Sequence, residues 1–287
     1  MKIRIDKEAN YRGVFFNGKT VRQRIDPSKS IGTPRLPEIE DVAINNKCLA
    51  NCSYCYTSAV KEGQNFDNII DKALEVWGNL EKENRPFQIA IGGAGEATMH
   101  PDFCEFIANV HAMGIVPNYT TNGMHLDDRT LHFTEKYCGG VALSWHPHIK
   151  KIFHEAMAKL KYLNNIKLNT HVILGAPGSL DDLKFLYETY TENFDYYVIL
   201  PYQAAGRGTH VETEIEWLNT FQWIASLPKE QQSKFAFGAL FYEWMKDKNL
   251  PLKVDMYEPE IYSGYRMMDD NYKILMKSSY DTTPKTY

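Results

Sequence analysis

The sequence predicts an α/β protein whose centre is a partial (β/α)6 barrel of the TIM type. From Glu38 onward, strand-like and helix-like segments alternate, and this alternation builds parallel sheets through right-handed crossovers. Asn17-Gly18 separates two short strand-like runs, which indicates a tight N-terminal β-hairpin. Residues 258–280 indicate a second, C-terminal β-hairpin that turns near Asp269-Asp270-Asn271.

Six strand and helix pairs can be placed along the predicted barrel. The strand segments are 39–45, 87–92, 115–120, 140–145, 167–174 and 195–201. The helical segments are 67–83, 102–113, 127–137, 149–163 and 180–191. The segment 149–163 has the clearest helical period, because its apolar residues fall on one stripe. A seventh pair fits the same pattern, with a strand at 234–240 and a short helix at Leu240–Lys246.

These elements divide the chain into three parts. Residues 1–37 form an N-terminal β appendage and linker, 38–227 form the barrel core, and 228–287 form an extension that we expect to close the barrel. Barrels of this type carry their chemistry at the carboxyl ends of the strands. The motifs described below all follow a predicted strand.

The composition is that of a soluble globular protein, with 287 residues, 44% of them hydrophobic and 24% charged. The formal net charge of −4 argues against general binding to nucleic acid or to an anionic membrane, since both need a basic surface. Residues 1–13 are polar, without the apolar core of a signal peptide, and no run approaches the ~18 apolar residues of a membrane span. We therefore expect a cytoplasmic protein.

Five cysteines lie at positions 48, 52, 55, 104 and 138, and the first three are crowded together. Cys48, Cys52 and Cys55 have the spacing C-x3-C-x2-C and follow the first barrel strand. Three thiolates on one loop can bind three corners of a [4Fe-4S] cluster, which leaves one iron open for a further ligand. A zinc site and purely structural cysteines are the alternatives, although zinc takes four ligands and no second pair is present. For Cys104 and Cys138, buried packing is the commoner role and hydrogen-atom donation the alternative.

This cysteine loop resembles that of the radical S-adenosylmethionine superfamily, C-x3-C-x-aromatic-C, with Tyr54 at the aromatic position. The resemblance covers roughly residues 38 to 210. It implies a cluster whose open iron is chelated by S-adenosylmethionine, with Tyr54 against the adenine. Reductive cleavage then gives methionine and a 5′-deoxyadenosyl radical that abstracts hydrogen from a substrate C–H bond. An electron donor such as flavodoxin or ferredoxin is implied as well.

The segment from Gly92 to Phe103 resembles the superfamily's glycine-glycine-glutamate motif and the His-Pro-Asp-Phe that often follows it. Ala94 replaces the first glycine, a mild departure because a small residue is kept. The resemblance implies that Gly95 and Glu96 bind the ammonium of S-adenosylmethionine; a glycine-rich turn with a solvated glutamate is the alternative. Residues 120–123, Thr-Thr-Asn-Gly, resemble a turn found after the third strand in many members.

Further positions are implied to contact the cofactor. Ser144 matches a ribose-contacting position, and Gly175 matches a glycine that packs near the adenine. On the fifth strand, Lys167, Asn169 and His171 alternate with apolar or small residues, which places them on one face. If this face looks into the barrel, Asn169 and His171 reach the ribose or the methionine part; a solvated edge is the alternative.

For two other motifs, the sequence does not decide between a functional and a purely structural role. His146 and His148 follow the fourth strand, where they face the substrate or simply lead into the next helix. Arg207, in a Gly-Arg-Gly turn of a type found in peptide-modifying members, is a candidate to hold a carboxylate or phosphate; a flexible loop with an exposed charge is the alternative.

The C-terminal tail loosely resembles the outline of a SPASM-type extension, which binds auxiliary clusters in many peptide-modifying relatives. It contains no cysteine, so it lacks ligands for such clusters. Three functions remain open: radical modification of a peptide or protein, radical chemistry on a nucleoside, nucleotide or small metabolite, and a metal-binding module without turnover. The first is favoured slightly by the Gly-Arg-Gly turn and by the outline of the tail.

Overall fold

The computed structural model describes residues 1–32, 34–175, 177–209, 213–238 and 241, together with the backbone of 265–268, 274–278 and 281–286. Its main feature is a curled parallel sheet, and a small antiparallel sheet precedes it in the chain. The predicted α/β class and partial barrel are confirmed. Among the described helices, none combines the length and the apolar character that a membrane span requires.

The N-terminal sheet contains three antiparallel strands: β1 (Lys2–Asp6), β2 (Tyr11–Phe16) and β3 (Lys19–Arg24). The hairpin between β2 and β3 turns at Asn17 and Gly18, as predicted. Both residues have positive φ, 49° and 73°, which Asn and Gly adopt at low cost. The sheet lies against the start of the barrel, since Phe15 stacks on Phe87 at 5.7 Å, at the end of the barrel away from the motifs.

Seven parallel strands follow, each hydrogen-bonded to the next in chain order. They are β4 (Ile39–Val42), β5 (Gln88–Ile91), β6 (Val116–Thr121), β7 (Gly140–Ser144), β8 (Lys167–Leu174), β9 (Tyr196–Pro201) and β10 (Phe235–Phe237). The six predicted strands and the predicted seventh are all present, with ends shifted by a few residues. Because every strand runs the same way, the loops at their carboxyl ends meet at one edge.

Seven helices are described. They are α1 (Asp67–Gly78), α2 (Phe103–Ala112), α3 (Asp128–Tyr137), α4 (Lys150–Leu160), α5 (Leu180–Tyr190), α6 (Glu214–Ser226) and α7 (Lys229–Gln232). The five predicted helices correspond to α1–α5. The helix α6 was not predicted; it packs Phe221 and Ile224 into the core. The helix expected at Leu240–Lys246 falls almost entirely outside the described residues.

Three strands are described near the C-terminus: β11 (Tyr265–Met268), β12 (Ile274–Ser278) and β13 (Asp281–Thr286). β11 pairs antiparallel with β12, which confirms the predicted hairpin, while the turn at 269–271 lies outside the described residues. β13 was not predicted. β11 also pairs in parallel with β4, so these strands extend the barrel sheet at its first edge.

The two faces of the barrel sheet differ in burial. One face packs against the helices; Phe103 of α2, for example, meets Tyr119 of β6 edge to face at 5.0 Å. The other face lines the inside of the curl and is half-buried, as the strict alternation along β8 shows. Asn169 and His171 lie on this inner face, as the period of two predicted.

Candidate functional site

The three clustered cysteines lie on one compact loop, residues 45–66, which follows β4 and which we call the cysteine loop. The loop returns on itself, because the Cys48 N–H donates to the Val60 carbonyl at 2.9 Å. A tighter turn lies inside it, where the Cys55 N–H donates to the Cys52 carbonyl at 3.3 Å. The cysteines therefore stand together at the carboxyl edge of the barrel, where the motif spacing predicted them.

The distances between the three cysteine sulfurs can be compared with those expected around one zinc ion. Among the described residues, the three sulfurs do not form a group whose members all lie within 4.8 Å of one another. Ligands of one zinc ion at ~2.3 Å would lie about 3.8 Å apart. At least one pair of these sulfurs therefore lies farther apart than two ligands of one zinc ion.

Two of the sulfurs lie within hydrogen-bond distance of neighbouring polar side chains. The Asn122 side-chain amide donates to Cys48 Sγ at 3.4 Å, and the Thr57 hydroxyl lies 3.3 Å from Cys55 Sγ. Burial raises the pKa of Cys52 to about 11. Burial also opposes ionisation of Cys55, but the Thr57 hydroxyl and nearby backbone N–H groups outweigh it and lower its pKa. Such hydrogen bonds stabilise thiolate, the form that binds iron.

The glycine-rich segment, residues 92–96, lies directly on the cysteine loop. The Tyr56 hydroxyl donates to the Gly93 carbonyl at 2.7 Å, and the Thr57 hydroxyl donates to the Ala94 carbonyl at 2.9 Å. Thr57 thus contacts both a cysteine sulfur and the glycine-rich segment. The motif after β5 and the motif after β4 therefore form one surface.

Gly95 is required by the close approach of these two backbones. A Cβ atom at this position would lie 2.5 Å from Asn45 Oδ1 and 2.6 Å from the Lys47 carbonyl. Next to it, the Glu96 N–H donates to the Lys47 carbonyl at 2.7 Å. The need for a small residue here follows from packing against the cysteine loop.

Glu96 is buried, with 3% of its surface exposed, and its carboxylate has three donors. Thr98 and Thr121 donate their hydroxyls to Oε1, and the Asn122 N–H donates to Oε2, each at 2.7 Å. Burial raises the pKa of Glu96, partly offset by these donors. Glu96 is therefore not a solvated glutamate, and it holds the turn whose Asn122 reaches Cys48. Its contact with an ammonium stays a prediction.

Tyr54 connects the cysteine loop to the turn after β7. Its hydroxyl lies 2.8 Å from His146 Nδ1 and 3.4 Å from His148 Nδ1. His148 Nε2 lies 3.0 Å from the Ala50 carbonyl. Burial lowers the pKa of His146 to about 4, so this imidazole is neutral at pH 7. The two histidines thus hold the Tyr54 side chain, whose contact with adenine stays a prediction.

Ser144, Asn169 and His171 lie close together on the inner face. Ser144 at the end of β7 pairs with His171, and Ala142 pairs with Asn169 two residues earlier on each strand. The buried Asn169 Oδ1 has no hydrogen-bond partner among the described residues. Burial lowers the pKa of His171 to about 4, which keeps this ring neutral. The inner face beside the cysteine loop thus offers neutral polar groups to a bound molecule.

Gly175, directly after β8, has a φ of +114°, which L side chains rarely adopt. A Cβ atom here would lie 2.2 Å from Cγ2 of Thr213, just before α6. This close packing explains the glycine, and its role near adenine stays a prediction. Cys104 and Cys138, by contrast, are buried in the core, at 3% and 8% exposure, as expected for structural cysteines.

Arg207 is half-buried and is not the exposed charge of a free loop. Its binding of a carboxylate or phosphate stays a prediction. Its Nε donates to the Cys52 carbonyl at 2.9 Å, and its Nη1 donates to the Ala59 carbonyl at 2.8 Å. The signal in the sequence was the Gly-Arg-Gly turn itself, but spacing alone did not reveal that the cysteine loop is its partner.

Solved structures share this fold at low sequence identity. Streptococcus suis SuiB bound to the precursor peptide SuiA has a TM-score of 0.63 and 16% identity, covering 84% of this chain and 59% of SuiB. The protein anSMEcpe with bound AdoMet and Cp18Cys peptide has a TM-score of 0.59 and 12% identity, covering 85% of this chain and 75% of anSMEcpe. At these identities the likeness concerns the fold.

Sequence similarity covers a shorter stretch. No family model matches the chain. A stretch of 88 residues is 31% identical to the tungsten-containing aldehyde ferredoxin oxidoreductase cofactor-modifying protein of Pyrococcus furiosus. It spans 31% of this chain and 24% of that relative's length. The chain thus shares its fold with SuiB and anSMEcpe, and the C-x3-C-x2-C spacing of its cysteine loop resembles that of the radical S-adenosylmethionine superfamily.

Proposed function

We propose that this protein is a radical S-adenosylmethionine enzyme. A [4Fe-4S] cluster on Cys48, Cys52 and Cys55 would supply one electron to the sulfonium of S-adenosylmethionine. Its C5′–S bond would then break to give methionine and a 5′-deoxyadenosyl radical. The radical would take a hydrogen atom from a substrate C–H bond. The observation that carries this proposal is the cysteine trio, which stands on one compact loop at the carboxyl edge of the barrel with the spacing C-x3-C-x2-C. A flavodoxin or ferredoxin would return the electron.

S-adenosylmethionine would lie between the cysteine loop and the inner face. We assign its binding to Tyr54, Gly95, Glu96, Ser144, Asn169, His171 and Gly175. The buried, unpartnered Asn169 Oδ1 supports this assignment, because an orphan acceptor is costly unless a ligand donates to it. The neutral His171 beside Ser144 adds a group that donates and accepts without placing a second positive charge near the sulfonium.

We assign a peptide or protein as the substrate. Two proteins with this fold support it, since SuiB was solved with a precursor peptide and anSMEcpe with a Cp18Cys peptide. A second candidate is a small cofactor molecule, which the similarity to the cofactor-modifying protein of P. furiosus favours. The matched stretch covers only a quarter of that relative, so the peptide is our first assignment.

Anaerobic reconstitution tests the reaction. The loaded protein, reduced by dithionite or by reduced flavodoxin in the presence of S-adenosylmethionine, should release 5′-deoxyadenosine and methionine in equal amounts. Deuterated peptides and deuterated small cofactor molecules are then tested as separate classes of substrate, with deuterium transfer into 5′-deoxyadenosine as the readout. A loaded cluster that never cleaves S-adenosylmethionine in any arm would favour a binding module without turnover.

A further inference from the structure

Arg207 makes three hydrogen bonds to the cysteine loop, although it lies after β9 on the far side of the curl. The guanidinium donates to the carbonyls of Cys52 and Ala59, and the Arg207 backbone N–H donates to the Cys55 carbonyl at 2.9 Å. Two of these carbonyls belong to cysteines of the trio. One residue therefore holds the loop on both sides of its inner turn.

Gly206, the residue before Arg207, also lies directly against the cysteine loop. Gly206 has a φ of +59°, and a Cβ atom there would lie 2.5 Å from the Tyr56 carbonyl and 2.6 Å from the Cys55 carbonyl. Only glycine lets the two backbones approach this closely without displacement. The turn after β9 is thus shaped to sit on the cysteine loop.

A cluster binds more readily when its ligands are already held in place before the metal arrives. Binding constellations are effective when the residues that support them hold them within about 0.5 Å of the required geometry. A hydrogen bond from an arginine to a backbone carbonyl holds the peptide plane that bears the carbonyl. The held plane limits the directions in which the side chain of the same cysteine can leave the backbone. Hydrogen bonds to the Cys52 and Cys55 carbonyls therefore restrict where both sulfurs can lie.

We propose that Arg207 is a positioning residue that holds the cysteine loop ready for its cluster, acting through backbone carbonyls and not through a bound anion. The inference rests on the proposed function in so far as the loop is taken to bind a cluster. Arginine suits this task better than lysine, because its planar fork offers several donors in fixed directions, whereas an ammonium is a single point.

The first test needs no cluster. In the metal-free protein, Arg207→Met should speed hydrogen exchange of the Cys48 amide, which bonds across the loop, by roughly tenfold or more. The matched control is Arg129→Met, which removes an exposed arginine paired with Glu105 on another face. Arg207→Lys should fall between the two. Exchange unchanged in Arg207→Met would overturn the proposal.

The second test uses the reconstituted protein. Arg207→Met should lose iron to a chelator several-fold faster than the wild type or Arg129→Met. Gly206→Ala should have the same effect while keeping the charge, since it displaces the turn. Loss of substrate binding alone, with normal exchange and iron retention, would overturn the proposal in favour of an anion site. A wild type that takes up no cluster would contradict the proposed function, while the exchange test would still decide whether Arg207 holds the loop.

Discussion

The Asn122 side-chain amide donates to Cys48 Sγ at 3.4 Å, so the turn after β6 contacts a sulfur of the cysteine loop. The Asn122 N–H is held in turn by the buried Glu96 carboxylate. A continuous set of hydrogen bonds thus runs from the glycine-rich segment to a proposed cluster ligand. Because hydrogen bonds to ligand sulfurs tune cluster potentials, this relationship has a measurable consequence.

Replacement of Asn122 should shift the cluster's reduction potential. A donor to sulfur favours the reduced, more negative cluster, so Asn122→Ala should lower the midpoint potential. If the bond differs by ~1 kcal/mol between oxidation states, the one-electron shift is about 40 mV. Spectroelectrochemical titration measures it, with the exposed Asn164→Ala as control. An unchanged potential would mean that the Asn122 bond is lost once the cluster binds.

Replacement of Cys52 should remove the cluster without unfolding the barrel. The Cys52 side chain is small, so Cys52→Ala should cost only about 1 kcal/mol of unfolding free energy. Iron and sulfide analysis after reconstitution measures the loss, and circular dichroism checks the fold. Cys104→Ala is the matched control, since it removes a buried thiol from the core. A brown, iron-loaded Cys52→Ala protein would contradict the ligand assignment.

Glu96→Gln should destabilise the protein by ~1–3 kcal/mol, even though it keeps the shape of the side chain. A carboxylate accepts from Thr98, Thr121 and Asn122 at once, whereas an amide turns one donating NH2 group towards a donor. Urea unfolding of the metal-free protein measures the loss. Glu105→Gln, at an exposed ion pair, should change stability by less than about 1 kcal/mol. Equal effects in both variants would argue against the buried network.

The contact between Tyr54 and His146 can be measured by a double-mutant cycle. Tyr54→Phe and His146→Ala should couple by about 1 kcal/mol, the net value of one hydrogen bond. Unfolding free energies of the two single variants and the double variant give the coupling. The exposed Tyr162→Phe should be additive with His146→Ala. If Tyr54→Phe were also additive with His146→Ala, the Tyr54 hydroxyl would contribute nothing to holding the cysteine loop.

His171 should make folding stability depend on pH. Its folded pKa of about 4 lies below the ordinary value of 6.5, so the unfolded chain binds more protons between these values. The stability is complete above pH 6.5 and falls as pH drops through this window, by about 2 kcal/mol from pH 6.5 to 5. Urea unfolding at several pH values measures it. His171→Gln should reduce this dependence of the unfolding free energy on pH, while the similar contribution of His146 remains. An unaltered dependence would mean that the His171 ring is exposed to water.

The barrel was predictable from the sequence because each strand and helix has its own periodic pattern. The helix α4 and the strand β8 lie within a few residues of their predicted bounds. The helix α6 was missed because its N-cap residue, Thr213, makes no side-chain cap hydrogen bond and because the helix follows the Gly206-Arg207-Gly208 turn, which resembles a loop. β13 was missed because Thr and Pro in its sequence indicate an irregular tail.

The cysteine trio was equally predictable, since its ligands are neighbours in sequence. The contacts that hold it were not, because they join residues far apart in the chain. Cys48 and Asn122 are separated by 74 positions, and Cys52 and Arg207 by 155. Whether Arg207 turns to a ligand, to solvent or to a carbonyl depends on the closure of the curl, which no local pattern encodes.

The distance along the chain between Cys52 and Arg207 also sets an order of events during synthesis. A nascent chain that has reached only β8 carries all three cysteines but has not yet made the turn after β9. Its three cysteines would leave the ribosome before Arg207 is present to hold the cysteine loop. We therefore expect iron insertion to occur late, after the last third of the barrel has been made, and premature release of the chain to yield a metal-free product.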